Sequence, residues 1–342
     1  MHYKKNEARI SIRIIKCIGW VFLLLIFVMA GWVLGSRLRI EHVERLSHKE
    51  AAPPIGRWII AHDVNMYLQE FGPPNGKPLV LVHGTGAWSG TWGSNIPAMV
   101  QAGYRVIAID LPPFGFSEHE PMLDYSRESQ AKRILSLIEN LNIASVTLLG
   151  HSFGGGPAAE AVMMDSKRIS HLVLVDAAIG LQTDTSTQCD PPVLPIQLIG
   201  WRPLRTALIS TVGTSPLFSE FLLRQFVARK EVVTPARTAI YQAPFATHDF
   251  TASLGDWAWQ FATGCEDPKS TTPQGFKNLG VPVTLIWGDE DTITPLSQGH
   301  QLQKLIARSK LIVLNKVGHI PQIEDVTLFN TRIVEALNHP PP

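Results

Sequence analysis

One serine lies in a pattern that turns a hydroxyl into a nucleophile, Gly150-His151-Ser152-Phe153-Gly154, or G-x-S-x-G. The run 145–149 before it is apolar and predicts a buried strand, and residues 155–165, rich in Ala and Met, predict a helix. A strand that feeds a helix through this pattern turns sharply and lifts the hydroxyl off the sheet edge, beside the helix N-terminus. The sequence therefore makes Ser152 a candidate nucleophile.

A serine hydroxyl is a poor nucleophile at neutral pH and needs a base beside it. The chain has 12 histidines, and His319 stands out because it directly follows the last predicted strand and its loop. The preceding Gly318 lets that loop turn tightly. A loop at this place puts the imidazole over the edge of the sheet, so His319 is the candidate base.

The base in turn needs a carboxylate that fixes its tautomer and orientation. Asp289, Glu290 and Asp291 follow the strand predicted at 281–287, so three carboxylates compete for this role. Asp176, at the end of the strand that follows the serine pattern, is a further candidate.

The developing oxyanion needs backbone N–H donors. One is the residue after the nucleophile, Phe153, and the second is expected from the loop that follows the strand predicted at 78–83. In that loop Thr85 is the first choice and Gly86 the alternative. His83 is expected to brace the loop by hydrogen bonds and not to transfer protons.

The elements that must position these residues alternate between apolar strands and helices, which predicts a mostly parallel sheet covered on both faces. The alternation stops after Ala178, and up to about Thr272 the chain is rich in Pro and aromatic residues with helical patches. We therefore predict an α/β core formed by residues 57–177 and 273–342, interrupted by a helical insertion over residues 178–272.

The N-terminal part carries a different signal. Residues 17–35 contain no charge and are long enough to cross about 30 Å of hydrocarbon, with Trp20 and Trp32 near the two ends. This predicts a transmembrane anchor, preceded by a short basic tail (residues 1–16) and followed by a polar linker (residues 36–56).

Five basic residues precede the apolar stretch and four follow it before residue 50, which favours a cytoplasmic N-terminus and an extracytoplasmic catalytic domain. Two alternatives stay open. A cleaved signal peptide that ends at Gly35 would give a secreted protein. A buried core helix would give neither a membrane anchor nor a secreted protein.

Charge and cysteine content restrict the partners. The net charge is +1 with 17% charged residues, so no basic surface indicates nucleic acid. The spacing of Cys and His residues indicates no metal site, and we expect no cofactor. Cys189 and Cys265 form a disulfide in an oxidising compartment or remain buried thiols, and the sequence favours neither.

Over about residues 57–338 the chain resembles the α/β-hydrolase superfamily. Five stretches in the expected order carry the resemblance: 83–86 (HGTG), 110–117 (DLPPFGFS), the serine pentapeptide, 288–291 (GDED) and 318–321 (GHIP). One departure is Pro112-Pro113, which lies in a loop that usually contains a glycine. The order Ser152, Asp291, His319 is that of the family's catalytic triad. The resemblance thus selects Asp291 among the competing carboxylates and implies that residues 178–272 form a helical cap.

The resemblance also implies an activity. Capped relatives that open epoxides or remove halide use an aspartate where this chain has Ser152, so acyl transfer to water is expected. The substrate would be an ester, thioester or lactone. The insertion contains aromatic residues that suit a mostly apolar small molecule, although most of them are expected to pack the cap against the core: Trp201, Phe218, Phe221, Trp257, Trp259 and Phe261.

Two alternatives remain. Related capped enzymes hydrolyse a carbon–carbon bond in a vinylogous diketone with the same triad, and Asn95 and Arg202 are candidate polar contacts for such a substrate. Other members of the superfamily bind ligands without turnover.

Overall fold

The computed structural model describes residues 2–119, 123–181, 194–264 and 268–342. Cys189 and Cys265 lie outside the described residues, and so does their proposed pairing. Within the described ranges eight strands form one sheet in the order β1-β2-β4-β3-β5-β6-β7-β8. The strands are β1 Gly56–Ala61, β2 Val64–Phe71, β3 Lys77–Val82, β4 Tyr104–Ile109, β5 Val146–His151, β6 Ile169–Val175, β7 Val283–Gly288 and β8 Ser309–Leu314.

The sheet is mostly parallel, as predicted. β2 pairs antiparallel with both β1 and β4, and every other neighbouring pair is parallel. Side chains alternate across the sheet, so that on β3 Val80 and Val82 pack into one apolar core while Leu79 and Leu81 pack into the other. Both faces are therefore buried, and the carboxyl ends of the parallel strands meet at one edge.

Helices cover the sheet and fill the interval between β6 and β7. They are α1 His2–Val43, α2 His48–Ala51, α3 Ile96–Gln101, α4 Arg127–Asn140, α5 Gly155–Met164, α6 Leu194–Ile199, α7 Arg202–Thr211, α8 Pro216–Phe226, α9 Pro235–Gln242, α10 Phe250–Thr263, α11 Pro273–Lys277, α12 Leu296–Leu305, α13 Pro321–Glu324 and α14 Val326–Asn338. Five of them, α6 to α10, lie in the described part of the interval predicted to form the cap. The limits of that domain remain a prediction.

The N-terminal helix is longer than its apolar stretch. Residues 16–43 of α1 are long and apolar enough to cross a membrane by length and composition. The predicted linker (residues 36–56) is largely ordered: α1 continues to Val43, and α2 and the start of β1 follow. Polar composition suggested a linker, but the (i, i+4) pair of Arg37 and Glu41 at 2.9 Å and contacts with α7 support helix here.

Candidate active site

The serine pentapeptide forms a tight turn between β5 and α5. Ser152 has a φ of +50°, in the left-handed region that non-glycine residues rarely adopt. The turn leaves no room for side chains on its flanks. A Cβ on Gly150 would lie 2.6 Å from the carbonyl oxygen of Gly154, and a Cβ on Gly154 would lie 2.4 Å from that of His83. The glycines of the pattern thus permit the strained turn that presents Ser152 beside the start of α5.

Three of the predicted site residues meet at the carboxyl edge of the sheet. The Nε2 of His319 lies 2.8 Å from the Oγ of Ser152, and its Nδ1 lies 2.8 Å from the Oδ2 of Asp291. The exposed fractions of the three residues are only 7%, 2% and 6% for Ser152, His319 and Asp291. Asp289 is exposed and accepts from the Lys316 amide instead, and Glu290 is also exposed.

Asp291 is held as a carboxylate. Burial by itself would raise its pKa, but hydrogen bonds and the charge of His319, with donors from Thr294, hold the pKa below its ordinary value. Its Oδ1 accepts from the amides of Ile293 and Thr294 at 2.8 and 2.9 Å, and its Oδ2 accepts from the Thr294 hydroxyl at 2.7 Å. Thr294 was not singled out from the sequence, although its position three residues after Asp291 is typical of such a turn.

Asp176, the other candidate acid, is close by but makes no hydrogen bond with His319. Its Oδ1 accepts from the Gly288 amide at 2.9 Å, and its carbonyl oxygen accepts from the Thr294 hydroxyl at 3.0 Å. Burial and the nearby charge of Asp291 raise its pKa well above the ordinary value. Asp176 is therefore part of the scaffold, and the imidazole is oriented by Asp291.

A further carboxylate, which the sequence analysis missed, holds the histidine loop. The buried side chain of Glu324, in α13, accepts hydrogen bonds from four backbone amides at 2.7–3.2 Å: Gly318, Ile320, Ala228 and Arg229. Two of these amides flank His319 and two follow α8. Its only signal in the sequence is an acidic residue shortly after the histidine, and no local pattern reveals amides that come from a distant helix.

The loop that carries Thr85 lies against the serine. A Cβ on Gly84 would be 3.0 Å from the Cβ of Ser152, and the N–H groups of Thr85 and Gly86 donate to no described residue. His83 braces the loop, as expected. It donates from Nδ1 to the Gly84 carbonyl at 2.8 Å and accepts at Nε2 from the Leu111 amide at 2.9 Å. Burial lowers its pKa to about 4, so it is neutral.

Aromatic rings extend from the turn toward the inserted helices. Phe153 packs edge-on against Phe114 and Trp257, with ring centroids 5.6 and 5.4 Å apart, and Trp257 stacks on Phe261. An open cavity of about 170 Å³ adjoins this row, with Tyr125, Arg127, Pro157 and Gln260 also in its wall. Aromatic side chains therefore pack beside the serine, and the adjoining cavity has a wall of mixed polarity.

The two polar residues considered for a carbon–carbon hydrolase are engaged within the protein. The Nδ2 of Asn95 donates to the Gln322 carbonyl at 3.1 Å and to the Oδ1 of Asn330 at 2.9 Å. Arg202 forms an ion pair with Asp256 at 3.0 Å. The amide nitrogen of Asn95 and the guanidinium of Arg202 thus have partners within the protein. Among the described residues, no cluster of three or more His, Cys, Asp or Glu side chains could hold a metal ion.

Residues 79–331 match a family model described as the alpha/beta hydrolase family. The 2-hydroxymuconate semialdehyde hydrolase of Pseudomonas sp. (strain CF600) is 28% identical over 296 residues, which cover 84% of this chain and 95% of that protein. The solved structure of a meta-cleavage product hydrolase from Pseudomonas fluorescens IP01 has 27% identity and a TM-score of 0.67, and covers 83% of this chain and 98% of that one. A membrane phospholipase A, at 21% identity and a TM-score of 0.64, covers 94% and 97% and is alike in fold.

Proposed function

This chain belongs to the alpha/beta hydrolase family, and on that premise we propose that it is a serine hydrolase of an ester-like acyl substrate. The observation that carries the proposal is the chain of two 2.8 Å contacts from Ser152 through His319 to Asp291. A hydroxyl, an imidazole and a carboxylate in this order are the geometry of nucleophilic acyl transfer.

In the proposed reaction the Oγ of Ser152 attacks the substrate carbonyl while the Nε2 of His319 accepts the hydroxyl proton. The imidazolium that forms donates from Nδ1 to Asp291, which is held as a carboxylate by Thr294. His319 then gives the proton to the leaving oxygen as the acyl–oxygen bond breaks. Water, activated by the same imidazole, attacks the acyl-enzyme, releasing the acid and restoring Ser152.

The oxyanion of each tetrahedral intermediate is assigned to the backbone N–H groups of Phe153 and of Thr85, with Gly86 as the alternative to Thr85. Support comes from the position of Phe153 directly after the nucleophile and from loop amides that have no other described partner. Preorganised amides of this kind contribute about 3 kcal/mol or more to the reaction barrier.

The substrate is proposed to carry an apolar acyl or aromatic group. Phe114, Phe153 and Trp257 pack against one another beside the serine, and Phe153 and Phe261 border the adjoining cavity. An apolar group gains roughly 25 cal/mol per Å² of surface that it removes from water.

Carbon–carbon bond hydrolysis is the second candidate, because two of the similar proteins are named for meta-cleavage products. Such a reaction would use the same triad. Asn95 and Arg202, the polar contacts considered for it, are bonded elsewhere, and this favours the ester reading.

The experiment has two arms. A fluorophosphonate probe should label the wild-type protein and fail to label Ser152→Ala, and p-nitrophenyl esters of rising chain length should be hydrolysed with a preference for longer acyl chains. Turnover of 2-hydroxymuconate semialdehyde, followed by loss of its absorbance, is measured in parallel. If turnover of 2-hydroxymuconate semialdehyde exceeds that of every ester, carbon–carbon bond hydrolysis replaces ester hydrolysis as the proposed activity. If properly folded wild-type protein is not labelled, the protein is a ligand-binding member of the fold.

We also propose that residues 17–35 form an uncleaved membrane anchor with the catalytic domain outside the cytoplasm. The support is a helix that runs without interruption past Gly35, the end of the signal-peptide alternative, to Val43. Trp32 is bonded to α7, and cleavage at Gly35 would remove that contact. Mass analysis of the membrane-bound protein should find residue 1 or 2 at its N-terminus, and a C-terminal reporter that works only outside the cytoplasm should be active. An N-terminus at Ser36 would establish cleavage.

A further inference from the structure

Helix α1 is bonded to α7 and to the turn after it. The indole Nε1 of Trp32 donates to the Oγ1 of Thr211 at 3.0 Å. The guanidinium of Arg39 donates to the carbonyl oxygens of Ser210 at 2.7 Å and Thr214 at 3.1 Å. The five-residue segment 210–214 thus contains three hydrogen-bond partners of α1.

These hydrogen bonds fix the position of residues 210–214 along the axis of α1, relative to the apolar stretch at residues 17–35. Trp32 lies three residues before Gly35, about 4.5 Å from the end of the stretch at 1.5 Å per residue. If residues 17–35 cross the hydrocarbon, Thr211 lies at its boundary. Trp32 is then at the interface, where indole rings are favoured.

The chain around Thr211 exposes large apolar side chains. They lie on one side of the end of α7 and on one side of the start of α8, at (i, i+4) spacing in each case: Leu208 and Val212, then Leu217 and Phe221, with Phe218 beside them. Leu217 is 89% exposed and Phe221 58%. We name these five residues the α7–α8 face. Five large apolar side chains exposed within 14 residues are uncommon on a monomer in water and indicate a partner.

We propose that the α7–α8 face inserts into the interfacial layer of the same bilayer that α1 crosses. The inference rests on the proposed anchor and not on the proposed chemistry. Its occupant is lipid because the face is continuous with the segment that α1 holds at the hydrocarbon boundary. Helices that lie in an interface bury Phe and Leu about 5–10 Å into the boundary between headgroups and acyl chains.

The polar residues on α8 are compatible with this position. Glu220 and Arg224 pair with each other at 3.0 Å, so this part of the helix carries no net charge of its own toward the lipid. The Arg39 guanidinium, which would otherwise be costly at the boundary, is bonded to two carbonyl oxygens.

The test measures depth in the full chain, reconstituted in vesicles of phosphatidylcholine and phosphatidylglycerol. In a background with Cys189 and Cys265 replaced by Ser, native Cys17 carries an environment-sensitive fluorophore as the reference inside the apolar stretch. With Cys17→Ser added, the fluorophore is moved to Leu217→Cys, Phe221→Cys or Ile60→Cys. Ile60 is the matched control, because it is 66% exposed but lies on edge strand β1.

Lipids with a doxyl quencher near the headgroup should quench the fluorophore at residues 217 and 221 at least about two-fold more than at residue 60. Equal quenching at all three positions would overturn the proposal. So would a shielded fluorophore at residue 217 that lipid does not quench, since a second copy would then cover the face. Absence of quenching at Cys17 would remove the anchor, and the proposal with it.

Fluorophosphonate labelling of the same vesicles reports the serine chemistry separately. A protein that labels normally but shows no quenching at residue 217 loses this inference and keeps the proposed function. If the fluorophore at residue 217 is quenched but the protein is not labelled, this inference holds and the proposed serine chemistry is wrong.

Discussion

The carboxyl edge of the sheet and the region where α1 contacts the inserted helices differ in what they bury and what they expose. At the edge, Ser152, His319 and Asp291 are nearly fully buried and bonded to one another. Around Thr211, large apolar side chains are exposed to solvent. The first region is complete within the chain because its polar groups satisfy each other, whereas the second leaves large apolar side chains exposed.

The largest expected effect concerns the nucleophile at the carboxyl edge of the sheet. Ser152→Ala should lower kcat by at least about 10⁴-fold, because no other group can form the acyl-enzyme. Steady-state turnover of a p-nitrophenyl ester measures it. Ser297→Ala, an exposed serine on α12, is the control and should keep wild-type turnover. Full activity in Ser152→Ala would assign the nucleophile elsewhere.

The second prediction separates the two buried carboxyls. Asp291→Asn should lower kcat by about 10³–10⁴-fold, because an amide cannot accept the Nδ1 proton and the imidazole takes the wrong tautomer. Asp176→Asn should cost less than about ten-fold, since Asp176 makes no hydrogen bond to His319 and an amide oxygen can still accept from Gly288. Both are measured as kcat on the same ester, with thermal unfolding as the check on folding. The opposite order of losses would make Asp176 the orienting acid.

The third prediction concerns the loop that carries the histidine. Glu324→Gln replaces a carboxylate that accepts four amides with a group that presents a donor to some of them. We expect a loss of about 1–3 kcal/mol in unfolding free energy and a drop in kcat with KM nearly unchanged. Thermal unfolding and steady-state kinetics measure the two effects. Glu335→Gln, a half-buried carboxylate on α14 that pairs with Arg332, is the matched control. A change in KM alone would place Glu324 in substrate binding.

The smallest effect belongs to the other region and depends on pH. Glu44, directly after α1, is buried and accepts from the Thr251 amide at 3.0 Å and from its hydroxyl. Burial raises its pKa from 4.5 to about 7. Between these values the folded chain holds a proton that the unfolded chain has lost, so stability falls as pH rises through this window.

Thermal unfolding of the full chain between about pH 5 and about pH 8 measures this dependence, worth at most about 3 kcal/mol at 1.4 kcal/mol per pKa unit. Glu44→Gln should flatten the pH dependence and leave fluorophosphonate labelling unchanged. An unaltered pH dependence in the variant would assign it to other groups. Loss of labelling would show that the two regions are coupled.

Much of the fold could be predicted because strand and helix periodicity are local. The strand expected at 145–149 overlaps β5, and the helix expected at 155–165 is α5, which ends one residue earlier. The predicted linker was less accurate, because a polar composition does not reveal that Arg39 has carbonyl partners on α7. Local pattern detects amphipathic packing, but it does not detect hydrogen bonds between segments about 170 residues apart.

The sequence by itself determined the sheet, the strained turn at Ser152 and the order of the candidate triad, because short-range patterns and small glycines set these features. Only the tertiary structure decided that Asp291 reaches His319 while Asp176 does not, and that Glu324 gathers amides from two distant segments. It also decided that α1 is bonded to α7 beside an exposed apolar face. The physical reason is that burial and hydrogen-bond partners come from residues far apart in the chain, and they alone fix which carboxyl orients the imidazole and which surface is left uncovered.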